Sequence, residues 1–143
     1  MQEFKFLNYQ INSHIAEIII NRPPINAFNI RLLDEILSSL ELAKNDRTVR
    51  AVLIKSNLEK IFCAGLDLDI LIDKPILEVR EFLERLYVKL WDIQYNMGKP
   101  TIAVVNGSAR GGGMTLAISC DVILASEDAS FVYPEINLVL PPA

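Results

Sequence analysis

The stretch from Thr101 to Cys120 constrains the fold more than any other part of the chain. Thr101-Ile102-Ala103-Val104-Val105 reads as a buried strand. Asn106-Gly107-Ser108-Ala109-Arg110-Gly111-Gly112-Gly113 is a glycine-rich turn, and an apolar helical pattern follows from Met114. A strand, a turn and a helix in immediate succession form a unit of an α/β protein with parallel pairing. Three consecutive glycines cost backbone entropy, which makes sense where the backbone must approach a ligand or pack tightly on a sheet. A second glycine-bearing stretch, Phe62-Cys63-Ala64-Gly65-Leu66-Asp67-Leu68, also follows a β-type run, Ala51-Val52-Leu53-Ile54. Backbone N–H groups at a helix start, with no side chain in the way, form an anion site that the peptide dipoles reinforce. Two such turns could hold one oxygen anion between two N–H groups, as a developing enolate or oxyanion requires.

The other segments agree with an α/β reading. Phe4 to Gln10 and Ile11 to Asn21 read as two strands, and Pro23-Pro24 stops the second. Asn29 is a candidate N-cap. Leu33, Ile36, Leu37 and Leu40 then recur on one helical face, with Asp34 and Glu35 near the helix start and Lys44 near its end. A second amphipathic helix is expected from about Leu77 to Met97, with Leu83, Leu86, Tyr87 and Leu90 on one face. Gly98, Lys99 and Pro100 end it. Val122 to Ala125 and Phe131-Val132 read as short strands.

Composition sets limits. A chain of 143 residues, 51% hydrophobic, is expected to form a single domain, residues 1–143, with a real core. The net charge of −4, without a basic tract, argues against nucleic acid as partner. No apolar run reaches the roughly 18 residues of a membrane helix. The charged N-terminus lacks the apolar core of a signal peptide, so the expected location is cytoplasmic. Cys63 and Cys120 are expected to be reduced thiols. One histidine and two separated cysteines offer no metal cluster. G-x-G-x-x-G is absent, and Gly113 and Met114 stand where a P-loop needs Lys and Ser/Thr.

Four ordered segments resemble the crotonase, or enoyl-CoA hydratase/isomerase, superfamily. They are Asn21-Arg22-Pro23-Pro24-Ile25-Asn26-Ala27-Phe28-Asn29, Phe62 to Leu68, Asn106 to Gly113 with Cys120-Asp121 beyond, and Pro134-Glu135-Ile136. The resemblance implies a crotonase/ClpP-like ββα spiral, here the N-terminal half without the C-terminal helical part. It implies an acyl-CoA thioester as substrate, with coenzyme A carried by that substrate and no separate cofactor. It implies a homo-oligomer, trimer or hexamer, in the full-length protein. The N–H groups of Leu66 and Gly112 would form the oxyanion hole. Ala64, Leu66, Asp67, Leu68, Gly111 and Gly112 would line the substrate. Asn21 to Asn26 at the start, with Pro134-Glu135-Ile136 and Leu140-Pro141-Pro142-Ala143 at the end, also resemble cyclohexa-1,5-dienecarbonyl-CoA hydratases. The chain stops where family members continue, which reads as a fragment or as a chain that associates to cover apolar surface.

Many hydratases of the family carry a first catalytic Glu two residues after the glycine triplet and a second in the P-E segment. Here Thr115 occupies the first position and Glu135 the second. Glu135 is therefore the expected acid/base, with Thr115 as a candidate to place water. Hydration, double-bond isomerisation and other enolate chemistry all stay open. Burial of Glu135 in an apolar pocket would raise its pKa and suit proton shuttling. Two other readings are a catalytically impaired or incomplete protein that binds acyl-CoA or a partner subunit, and a serine hydrolase using Ser108. The second needs a histidine base, and only His14, placed in an early strand, exists. Arg22, Lys60 and Arg110 could meet CoA phosphates, and Tyr133 could hydrogen-bond to substrate.

Overall fold

The computed structural model describes residues 3–70, 72–134 and 137. β1 (Leu7–Asn12) and β2 (Ile15–Ile20) form an antiparallel hairpin, with Asn12 opposite Ile15. The strands are shorter than the sequence suggests, and the turn falls at Ser13-His14 rather than near Gln10. Both residues have positive φ, 49° and 70°. A two-residue hairpin loop needs that conformation, and its usual Asn-Gly signal is absent here. His14 thus sits in the turn, not in a strand, and its Nδ1 lies 2.9 Å from the Thr48 carbonyl oxygen.

α1 (Ile30–Asn45) starts where the sequence places its cap: the Asn29 side chain accepts from the Leu32 N–H at 2.8 Å. The first turn holds no acidic residue. Asp34 and Glu35 lie beyond it and have other partners, Arg85 for Asp34 and the N-terminal backbone for Glu35. At the other end, the Lys99 ammonium donates to the carbonyls of Ala43, Lys44 and Asp46. These include carbonyl groups that a helix end leaves unpaired.

β3 (Ala51–Ser56) pairs parallel with β2, β5 (Thr101–Val105) with β3, and β7 (Val122–Ala125) with β5. The main sheet therefore runs β1-β2-β3-β5-β7. Alternate residues Ala16, Ile18, Ile20, Val52, Ile54, Ala103 and Val105 are buried, joining Leu32, Leu33, Ile36 and Leu40 of α1 in one core. Ile19, in an apolar run that suggests full burial, is only half-buried because neighbouring strand residues face opposite ways.

Each main-sheet strand after β2 continues into a short strand of a second sheet. These are β4 (Ile61–Cys63), β6 (Ser108–Arg110) and β8 (Ser130–Val132), ordered β4-β6-β8 and all parallel. In the sequence, β4 and β6 lie inside the glycine-bearing turns and carry no strand signal of their own. Three residues are too few to display a period. The turns entering β4, β6 and β8 stack on one another: the Ser108 N–H donates to the Lys60 carbonyl at 3.0 Å and the Ser130 N–H to Gly107 at 3.3 Å. A Cβ on Gly107 would lie 2.0 Å from the Lys60 carbonyl, so only glycine fits.

Between β4 and β5 runs a 3-10 turn (Leu68–Ile70), then α2 (Ile76–Glu84), a π turn (Arg85–Lys89) and α3 (Leu90–Tyr95). The last three occupy the expected second helix, which Gly98 follows at φ 70°. α4 (Gly112–Ile118) completes the α/β spiral and packs on β4, β5 and β6. Val122, Ile123, Leu124, Phe131 and Val132, on β7 and β8, remain exposed. Among the described residues no helix is long and apolar enough to cross a membrane.

Candidate active site

The two glycine-bearing turns meet. A Cβ on Gly65 would lie 3.4 Å from the Gly112 backbone nitrogen and 2.8 Å from the Arg110 carbonyl oxygen. Gly65 also has φ +95°, a conformation that side-chain-bearing residues rarely adopt. Gly113 approaches closer still: its Cβ would fall 2.1 Å from the Cys63 carbonyl oxygen. Part of the glycine triplet is therefore explained by packing of α4 on β4. Gly112 differs. The atoms nearest its Cβ would all be side chain, Leu86 Cδ2 and Phe28 Cδ2 at 3.3 Å and Leu66 Cδ2 at 3.5 Å.

The direction of the Leu66 amide follows from a β-bridge. Phe28 pairs parallel with Leu66: the Phe28 N–H donates to the Gly65 carbonyl at 2.7 Å, and the Asp67 N–H donates to the Phe28 carbonyl at 2.8 Å. In a trans peptide the Leu66 N–H points opposite to the Gly65 carbonyl, hence away from Phe28. No protein acceptor for it is found among the described residues. Gly112 opens α4, so its N–H has no intrahelical partner, and it too finds no acceptor among the described residues. Gly111, at φ 49°, donates its own N–H to the Val132 carbonyl at 2.9 Å, which ties the turn to β8.

Residues from the first sequence segment hold these turns in place, a role the sequence alone does not reveal. Asn26 is fully buried with φ 53°. Its Oδ1 accepts from the Arg22 N–H at 2.7 Å, and its Nδ2 donates to Ser56 Oγ at 2.9 Å and to the Phe62 carbonyl at 3.0 Å. The Cys63 thiol donates to the Asn26 carbonyl at 3.0 Å. Ala64 is fixed by its N–H to the Ile25 carbonyl at 3.0 Å. Arg22 is half-buried, and its guanidinium is engaged within the protein. One guanidinium nitrogen donates to the Ala27 carbonyl and the other pairs with Asp67 Oδ2, both at 2.7 Å. Asp67 therefore anchors the turn through its side chain. The available signal was an Asn and an Arg inside a Pro-Pro loop, residue types that often hydrogen-bond backbone.

Leu68 is exposed and begins the 3-10 turn. Thr115 is buried, and its Oγ1 donates back to the Gly111 carbonyl at 3.3 Å, as helix-interior threonines do. Glu135 lies outside the described residues, as do Ile136 and Leu138 to Ala143. Ser108 Oγ accepts from Arg110 Nε at 3.2 Å, and His14 is bound at the hairpin turn, so the described contacts do not pair Ser108 with a histidine base. Burial pushes the Cys63 thiol up to about 12, against a lowering hydrogen bond from the Gly65 backbone, and burial raises Cys120 likewise to about 12. Neither thiol is a ready nucleophile. No cluster of metal-ligating side chains occurs among the described residues.

The family model described as "Enoyl-CoA hydratase/isomerase" matches residues 10–143. The chain belongs to the enoyl-CoA hydratase/isomerase family. A "Probable enoyl-CoA hydratase" of Bacillus subtilis is 32% identical over 136 residues, covering 95% of this chain and 52% of the relative. A "Crotonyl-CoA hydratase" of Syntrophomonas wolfei is 37% identical over 129 residues, covering 90% and 49%. Among solved structures, a putative enoyl-CoA hydratase/isomerase (crotonase) from Legionella pneumophila superposes with a TM-score of 0.90 at 36% identity. That match covers 99% of this chain and 55% of the Legionella one. The crotonase fold expected from the four sequence segments is thereby established. The chain spans about half the length of the curated relatives it matches.

Proposed function

We propose that this chain carries the oxyanion-stabilising half of an acyl-CoA enzyme of the hydratase or isomerase type. The Leu66 and Gly112 amides would grip the thioester carbonyl oxygen, while Ala64, Asp67, Leu68 and Gly111 lie along the bound substrate. The observation that carries the reading is the approach of the two turns, each presenting an N–H without a protein acceptor among the described residues. One donor of this kind typically lowers a barrier by about 3–4 kcal/mol. The coenzyme A moiety belongs to the substrate, and the reading requires no further cofactor or metal.

In hydration, a water oxygen bonds to the β-carbon as one of its protons moves to a base. The double-bond electrons shift onto the thioester carbonyl, where the two amides stabilise the enolate. The α-carbon then takes a proton and the carbonyl re-forms. Glu135 is the proposed proton carrier in both steps. Thr115 would help place the water only by turning its hydroxyl away from Gly111. Isomerisation needs the same enolate and one base, so Glu135 alone suffices for it.

Purified protein incubated with 2-enoyl-, 3-enoyl- and dienoyl-CoA thioesters tests the reading, with loss of the conjugated-thioester absorbance reporting hydration. Glu135→Gln is expected to abolish turnover while leaving binding within about threefold. Unchanged turnover in that variant would refute the role of Glu135. A second reading, binding of acyl-CoA or of a partner subunit without turnover, draws support from Thr115, whose hydroxyl is engaged by Gly111. Tight thioester binding without product over the whole panel would favour it. Homo-oligomerisation belongs to the same proposal, and sedimentation equilibrium measures it.

A further inference from the structure

The segment Ile76 to Tyr95 contains a π turn, Arg85–Lys89, between two α-helical stretches. Its buried residues include Phe82, Leu86 and Leu90, each four residues after the last. On a regular α-helix every step of four overshoots a full turn by about 40°, so the three would drift around the helix. A π turn takes up an extra residue and corrects that drift. Leu86, inside it, is fully buried, and its Cδ2 stands 3.3 Å from where a Cβ of Gly112 would be.

Gly112 is thus held from two sides. The Cys63 backbone lies against the adjoining Gly113, and the side chains of Leu86, Phe28 and Leu66 line the space where a Gly112 Cβ would stand. We propose that the π turn exists to seat Leu86 against Gly112, and that Leu86 is a positioning residue for the Gly112 amide. The inference rests on the reading of that amide as an oxyanion donor and deepens it. Leu86 touches no reacting atom. It stops the start of α4 from moving away from the Leu66 amide, and a displacement of about 1 Å at such a donor can cost about a hundredfold in rate.

The test uses an enoyl-CoA carrying a 13C-labelled thioester carbonyl, bound to the protein and read by infrared difference spectroscopy. Polarisation by two amides lowers the carbonyl stretching frequency below that of the free thioester. Leu86→Ala is expected to bind the thioester with much of that lowering lost, and Leu86→Met to restore it. Leu40→Ala is the control: Leu40 is equally buried, in α1, and is not among the atoms nearest Gly112. It should lose stability yet keep the full carbonyl shift. Where Leu86→Ala does not fold, Leu86→Val carries the same expectation with a smaller loss. A full shift in the folded Leu86 variants would overturn the positioning role while leaving the oxyanion reading intact. No shift in the unmodified protein would overturn both.

Discussion

Replacing Gly113 by alanine is expected to be far more damaging than the same change one residue earlier. At Gly113 the new Cβ would stand 2.1 Å from the Cys63 carbonyl oxygen and 2.7 Å from its carbon. Ordinary contact begins near 3.4 Å, so α4 and β4 must separate by about 1 Å, and the obstacle is backbone that cannot turn aside. Overpacking of this kind typically costs 1–3 kcal/mol, and a backbone clash belongs at or above the top of that range, about 3 kcal/mol. At Gly112 the nearest atoms are a Leu86 methyl group and a Phe28 ring carbon, both at 3.3 Å, and these side chains need give only a few tenths of an ångström. Alanine also gains up to about 1 kcal/mol of helix propensity over glycine, so Gly112→Ala should fall within about 1 kcal/mol of the parent. Urea melts read the difference directly. In thermal melts the Gly113→Ala midpoint should fall by roughly 10 °C, taking about 3–4 °C per kcal/mol for a domain of this size. A Gly113→Ala protein as stable as the parent would refute the claim that this glycine is required by backbone contact.

Other consequences are equally open to measurement. Burial pushes the Glu35 carboxyl up, but hydrogen bonds from Arg31 and from the Lys5 and Phe6 N–H groups outweigh it and hold it below 4.5. Its stabilisation is therefore present above that ordinary value and fades as pH falls through the lower folded value. Glu35→Gln should lose about 1–2 kcal/mol in urea melts at pH 7, with the gap closing as the carboxylate is protonated at acid pH; a pH-independent gap would contradict this. Lys99→Met keeps the stem but removes the donor to three carbonyls at the end of α1, and should cost about 1–3 kcal/mol by the same melts. Asp67→Ala breaks a half-buried pair with Arg22, so a modest loss of about 1 kcal/mol is expected, with faster proteolysis within residues 67–74. Cys63, fully buried and raised to about 12, should resist iodoacetamide at pH 8 until urea unfolds the chain; rapid native alkylation would be the contrary result.

Much of the architecture was legible because it rests on local rules. The Asn29 cap, the strand at Thr101–Val105, the helix stop at Gly98 and the α/β order each depend on a few neighbouring residues. The hairpin turn was misplaced because Ser13 and His14 adopt left-handed conformations without the residue types that advertise them. β4 and β6 were hidden in glycine turns, since three-residue strands are defined by partners rather than by a pattern.

The sequence by itself determined the family and the positions of the two glycine turns, because backbone-dependent features survive only where glycine or a small set of residue types is tolerated. Tertiary structure alone decided what each glycine does. Gly107 and Gly113 clear backbone on Lys60 and Cys63, whereas Gly112 faces the side chains of Leu86 and Phe28. It also decided that Arg22 joins Asp67, 45 residues away, and that Glu35 anchors the segment leading into β1 rather than a helix dipole. Such pairings depend on distances in space between segments remote in the chain, and no local pattern of residues encodes them.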